Sequence, residues 1–232
     1  QILVKQNNSS NVTDVVVSVR FASTSSNDAI AVSDTSTQRS GHSAYNTWGW
    51  NGYPNTPPQY IYAQVEITLP QIPRTSFVSI FTDNYDILLF PNSIPFSNQI
   101  LATTANGNIN LSYFASSSVS LQTSNGNIRG SLYSVRQRLW AGSNNGNINL
   151  NTVIDSTANG VVVYAQSSNG NINLRFVNFR GQFDVSTNNG DITISNARES
   201  NGGGNNRKFG NVGDGNYTLT AISNNGDMNV IF

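Results

Sequence analysis

The chain of 232 residues contains no cysteine. That excludes a disulfide framework, thiol nucleophiles and cysteine-ligated zinc, and it leaves packing and hydrogen bonding to hold the fold together. Histidine is almost as scarce, since His42 stands alone in a Ser/Gly-rich stretch. One such residue cannot build a multi-histidine metal centre, and its setting reads as ordinary surface rather than as a general base. Charged residues make up only 10 % of the chain and balance to zero, so the basic footprint of a nucleic-acid or anionic-membrane binder is missing. No apolar run approaches the roughly 20 residues that span a bilayer. P-loop and dinucleotide fingerprints are absent too, because the glycines follow asparagine and are not followed by helical patterns. From these absences we expect no cofactor, no metal, no nucleic-acid partner and no membrane insertion.

What the chain has in abundance is Asn-Gly. Six copies of one corner occur at Asn106-Gly107, Asn125-Gly126, Asn145-Gly146, Asn169-Gly170, Asn189-Gly190 and Asn225-Gly226, with Asn84-Tyr85 as a divergent first copy. Both flanks recur with the corner. Seven, five and three residues before the glycine position stand a large apolar residue, an apolar or small one and a hydroxyl, as in Val119, Leu121, Thr123 or Val163, Ala165, Ser167. Two and four residues after it come pairs such as Ile109/Leu111, Ile148/Leu150, Ile192/Ile194 and Met228/Val230. This period-two pattern predicts two short strands per repeat, each with one face turned inward.

Asn-Gly between alternating runs ordinarily signals a hairpin. Here the glycine positions are separated by 22, 19, 20, 24, 20 and 36 residues, and the whole unit repeats, so one turn of a β-coil is the better reading. The sequence therefore predicts an all-β fold: a single-stranded parallel β-helix or solenoid of about seven rungs with an N-terminal β-rich cap. Stacked equivalents form columns about 4.8 Å apart. The asparagine column is expected to satisfy corner backbone groups or to form an amide ladder, and glycine is expected to supply positive φ at the corner.

The organisation is uneven. Residues 1–75 are expected to cap the first rung, with strands near Val12–Phe21 and Tyr60–Leu69 and a long Ser/Gly/Pro/aromatic loop between them. Rungs should occupy 76–232, with a loop insertion near 195–216 containing Gly202-Gly203-Gly204. The last repeat ends on Met228-Asn229-Val230-Ile231-Phe232, so either the N-terminal part folds across that end or the end pairs with another chain. A homo-oligomer or end-to-end assembly is thus one partner reading.

Outward positions are where function is expected. Three residues after the glycine position, Asn110, Asn149, Asn173 and Asn229 contribute to a polar strip able to follow an extended polymer. Six residues before it, Trp140 and Tyr164 should sit on adjacent rungs with Arg129, Arg175 and Asp184 nearby, where flat rings beside amides suit a sugar. Trp48, Trp50 and Tyr53 form a second aromatic group in the N-terminal loop. Catalysis has no constellation to rest on; Asp184 and Asp191, with Arg129 or Arg175, are the weak candidates for glycoside chemistry, which needs two carboxylates about 5 to 9.5 Å apart.

The unit Thr187-Asn188-Asn189-Gly190-Asp191-Ile192-Thr193-Ile194, repeated in Ser223 to Val230, resembles a family described as adhesins of unknown function. Its chains carry strings of Ser-Gly-Asp-Ile or Asn-Gly-Asp-Ile rungs. The resemblance covers about residues 78–232 and implies a single-stranded β-helix, surface adhesion and a microbial source. Asparagine replaces the family's frequent aspartate at Asn108, Asn127, Asn147 and Asn171, which makes the corners less acidic. The expected function is a secreted, non-catalytic surface or matrix protein that binds polysaccharide or cell-surface glycan or self-associates. An extracellular polysaccharide lyase or glycoside hydrolase working in a lateral groove is the alternative. Location outside the cell or in its wall fits the initial Gln1, read as the start of a processed chain, and the sequons at Asn8, Asn11, Asn110 and Asn216.

Overall fold

A computed structural model describes residues 2–7, 14–18, 65–70, 75–82, 85–89, 96–199 and 206–232. Trp48, Trp50, Tyr53, His42, Asn8 and Asn11 lie outside the described residues. The fold is all-β and solenoid-like, with no helix among the described residues. Each repeat supplies one strand entering its Asn-Gly corner and one leaving it, and strands of each kind pair in parallel with their equivalents.

The columns read from the sequence are the core. Ile87, Ile109, Ile128, Ile148, Ile172 and Met228 follow their corners at 0–1 % exposure. Opposite them lie Ile100, Val119, Leu139, Val163 and Leu219 with the smaller Ala102, Ala141, Ala165 and Ala221, all buried. Each fully buried aliphatic side chain contributes roughly 1.5–3 kcal/mol, and repetition makes that interior continuous along the stack.

Three hydrogen-bond ladders tie the corners together. Asn125, Asn145, Asn169, Asn225 and Asn189 each donate a side-chain N–H to the amide oxygen of the next asparagine along the stack, starting from Asn106, at 2.6–2.8 Å. A second column acts through the residue after glycine: the side-chain oxygens of Asp86, Asn108, Asn127, Asn147, Asn171 and Asp227 accept the backbone N–H of the next coil. The third is buried. Thr123, Ser143 and Ser167 donate their hydroxyls to the carbonyls of Gly107, Gly126 and Gly146 at 2.9 Å, which explains why the inward position before the corner is always Thr or Ser.

The reason for glycine differs from the sequence expectation. Gly107, Gly126, Gly146, Gly170 and Gly226 do not have left-handed φ. They are required because corners stack backbone on backbone: a Cβ on Gly126 would lie 1.9 Å from the carbonyl oxygen of Gly107, and one on Gly146 equally close to that of Gly126.

The order of coils also departs from chain order. The last strands, Tyr217–Asn225 and Met228–Ile231, do not end the stack. Strand Tyr217–Asn225 pairs in parallel with Val162–Asn169 on one side and Gly181–Asn189 on the other. Likewise Met228–Ile231 lies between Ile172–Val177 and Ile192–Ser195. The insertion expected as a loop near 195–216 carries strand Arg207–Val212, which pairs antiparallel along Gly181–Asn189 and covers the edge left open there. Beneath this region Phe232 packs on Phe176, Phe179 and Phe183 with ring centroids 5.9, 5.0 and 5.2 Å away. The question of how the final coil is shielded is therefore answered by interleaving.

At the other end, Ile2–Asn7 pairs with both Val65–Pro70 and Ile87–Leu89, while Asp14–Ser18 pairs with Thr75–Thr82. The N-terminal strands thus continue the parallel stack, and Ile2–Asn7 is one that the sequence pattern did not reveal.

Candidate functional site

On the strands entering the corners the residues between the inward ones face outward, and equivalent outward positions form adjacent columns. In stack order the middle column runs Leu101, Ser120, Trp140, Tyr164, Thr220, Asp184, Phe209. The column two residues earlier runs Gln99, Ser118, Arg138, Val162, Thr218, Gln182, Asn211. Because the final coil is interleaved, Tyr164 adjoins Thr220, and Asp184 stands one strand further away than chain order suggests.

Trp140 and Tyr164 are direct partners on neighbouring strands and line a groove of about 510 Å³ with Gln99, Ser118, Ser120, Arg138 and Val162. Trp140 does not stand up from the sheet. A Cβ built on Gly142, the next outward position on its strand, would lie 2.8 Å from indole Cη2 and 3.1 Å from Cζ2. The indole therefore lies along its strand over the space that the glycine leaves. Tyr164 reaches the same way along its own strand, where its hydroxyl donates to Gln166 Oε1 at 3.0 Å. The pair makes a half-buried, recumbent aromatic floor with an amide at one end and a guanidinium at the other.

Arg129 and Arg175, expected beside these rings, do not line this groove. They lie on strands leaving the corners, Arg129 between Asn110 and Asn149, Arg175 between Asn151 and Ile231. On the same outward strip Asn149 neighbours Asn173, and Asn173 neighbours Asn229. Asn149 and Asn173 make no side-chain hydrogen bond among the described residues, in contrast with the laddered asparagines of the corners.

The two aspartates do not converge. Asp184 accepts from Arg207 through both oxygens, and this carboxylate raises the guanidinium's affinity for its proton. Arg207 and Asp184 border a second hollow of about 820 Å³ with Phe209, Thr218 and Thr220. Asp191 lies beyond the corner, exposed, with its backbone N–H bonded to Asp227. Of the sequon asparagines described, Asn110 is half-buried, while the Asn216 amide bonds to Asn159 and accepts the N–H of Gly160. Among the described residues no group of three His, Asp or Glu side chains gathers as a metal site.

Sequence reasoning missed Arg138 and Gly142. The signal was present: extending the outward register by two residues on either side of Trp140 reaches both.

The fold and its groove define a repeat-built, solenoid-like β protein with an aromatic groove on its outward face. The chain belongs to the Toastrack DUF4097 family, whose pattern matches residues 97–231. No curated protein and no solved structure matches it.

Proposed function

We propose that the protein is a secreted, non-catalytic, adhesin-like surface or matrix protein that binds glycan on the outward face centred on Trp140 and Tyr164. In this reading the repeats form a single-stranded β-helix of about seven rungs, closed at one end by the N-terminal strands, and the stack is a rigid ruler for an extended polymer. The observation that carries it is the indole laid over Gly142 beside Tyr164. An aromatic floor rimmed by Gln99 and Ser120 offers a pyranose ring an apolar surface and hydrogen-bonding edges together. The free amides of Asn149 and Asn173 supply a second polar line for a chain that wraps the stack.

The enzyme alternative finds less support. A glycosidase needs two carboxylates acting on one bond, whereas Asp184 is held by Arg207 and Asp191 lies past the corner.

The test is retention of the protein on a panel of fungal, plant and bacterial polysaccharides, with assay of the same samples for new reducing or unsaturated ends. Retention lost in Trp140→Ala, without products, is the expected result. Product formation abolished by Asp184→Asn or Asp191→Asn would replace the binding reading with the enzymatic one.

A further inference from the structure

We infer that the glycan taken by the Trp140–Tyr164 groove is acidic, its pyranose rings bearing carboxylates, and that Arg138 is the residue that selects it. This rests on the glycan-binding reading above. Arg138 lies two residues before Trp140 on the same strand and so on the same outward face, roughly 7 Å from it along the backbone. Its cross-strand neighbours are Ser118 and Val162, and neither carries a charge to neutralise it. Among the described residues no acidic side chain lines the groove.

The other guanidiniums near this face are engaged. Arg207 is bonded to Asp184, and Arg136 donates to Asp155 at 2.7 Å. Arg138 has no hydrogen-bond or ion-pair partner among the described residues. Arg129 and Arg175 also lack one, but they lie on the strands leaving the corners, away from the aromatic floor. Arg138 is thus the unpaired cation that shares a groove with the two rings.

A guanidinium presents a planar fork of donors matched to a carboxylate. A sugar stacked on Trp140 projects its ring substituents sideways, and a carboxylate on the ring's edge comes within reach of the flexible Arg138 side chain. A neutral sugar would leave that guanidinium in water. Nucleic acid fits less well, because one unpaired groove cation in a chain of zero net charge cannot supply the several phosphate contacts on which such binding depends.

The experiment compares polygalacturonate with the same polymer fully methyl-esterified, which keeps the backbone and removes the charge. Affinities are measured for the wild type, Arg138→Gln and Trp140→Ala at low and high salt, with a single-stranded oligonucleotide as a further probe. Unfolding midpoints verify that each variant is folded. Expected is a preference for polygalacturonate of roughly two- to fivefold, the scale of one partly exposed charge pair, fading as salt rises. Arg138→Gln should bring polygalacturonate down to the level of the ester and so erase the preference, and Trp140→Ala should weaken both polymers. Equal binding of the two polymers by the wild type, or a preference that survives Arg138→Gln, overturns the acidic inference while the glycan reading stands. Tighter binding of the oligonucleotide than of polygalacturonate overturns it as well. Failure of these polymers and of the whole polysaccharide panel overturns both readings.

Discussion

Replacing Gly126 by alanine adds one methyl group at a buried corner, and it should be among the most damaging single changes in the stack. The new carbon would lie 1.9 Å from the Gly107 carbonyl oxygen, 2.6 Å from its carbon and 3.0 Å from Thr123 Oγ1. Two of these three atoms are backbone of the neighbouring coil, so no rotamer change relieves the contact. Opening the gap by about 1 Å breaks what the corner holds: Thr123 to Gly107, Asn125 to Asn106, and the Asn127 and Ile109 backbone bonds at 2.9 Å. At about 1 kcal/mol per net hydrogen bond, the loss is about 3–5 kcal/mol, a large share of the roughly 5–15 kcal/mol that holds a typical domain folded. Gly160 is the control, with φ +73° and nothing nearer to an added Cβ than Asn216 Nδ2 at 4.0 Å. There alanine should cost only the left-handed penalty of about 1–2 kcal/mol, and asparagine, which visits that region readily, less. At Gly126 asparagine should be as harmful as alanine. Urea unfolding followed by tryptophan fluorescence measures all four variants. An alanine at Gly126 within about 1 kcal/mol of wild type, or an asparagine there better than the alanine, would refute the stacking account.

Asn145 donates to Asn125 and accepts from Asn169, so Asn145→Ala should lower stability by about 1–2 kcal/mol, whereas Asn149→Ala, which breaks no side-chain bond, should stay within about 0.5 kcal/mol in the same unfolding assay. The buried hydroxyl of Thr152 finds no partner among the described residues, so the isosteric Thr152→Val should raise the unfolding midpoint. Asp155 is held well below its ordinary pKa of 3.8 by the Thr157 hydroxyl and amide and then by Arg136, so its stabilisation is complete above about pH 4 and is lost as pH falls through and below that value; Asp155→Asn should flatten the acid limb of a stability-versus-pH curve, and an unchanged limb would count against the assignment. Amides of Thr218–Ser223 should exchange with solvent as slowly as those of Val163–Ser167, since each strand has paired neighbours on both sides, and early exchange there would contradict the interleaved order.

Most of the stack was legible because its rule is local. Period two fixes which side chains point inward, and recurrence fixes which ones meet, so the Ile, Thr/Ser and Asn columns could be written down before any coordinates. The role of the corner glycine was less legible. Positive φ and close backbone approach both demand glycine, and a sequence records the demand without its cause. Trp140 and Tyr164 were located by register alone, but the posture of the indole depended on Gly142, a residue that carries no chemistry of its own. The expected proximity of Asp184 failed for a different reason, which lies in the order of the coils.

That order was illegible because the columns are degenerate. Asn225 donates to Asn169 and accepts from Asn189 with the same geometry that any pair of coils would give. Ser223 and Thr187 likewise each find a glycine carbonyl on the neighbouring coil. A pattern that lets each coil stack on every other cannot say which neighbour it has. The connections decide it. Gly181 and Gly215 sit where the returning chain passes: a Cβ on the first would lie 2.0 Å from the Tyr217 oxygen, and one on the second 2.1 Å from that of Arg180, while the Tyr217 N–H donates to Arg180 at 3.1 Å. These glycines belong to no repeat, and they mark the crossing that the repeats conceal. Had the final coil simply followed the sixth, the strand Gly181–Asn189 would lie inside and Tyr217–Asn225 would be the open edge. Interleaving instead puts Gly181–Asn189 at the edge, where the antiparallel strand Arg207–Val212 shields it and the Arg207–Asp184 pair reinforces the contact. The long final spacing is therefore the length of chain needed to turn back, cover an edge and fill a gap.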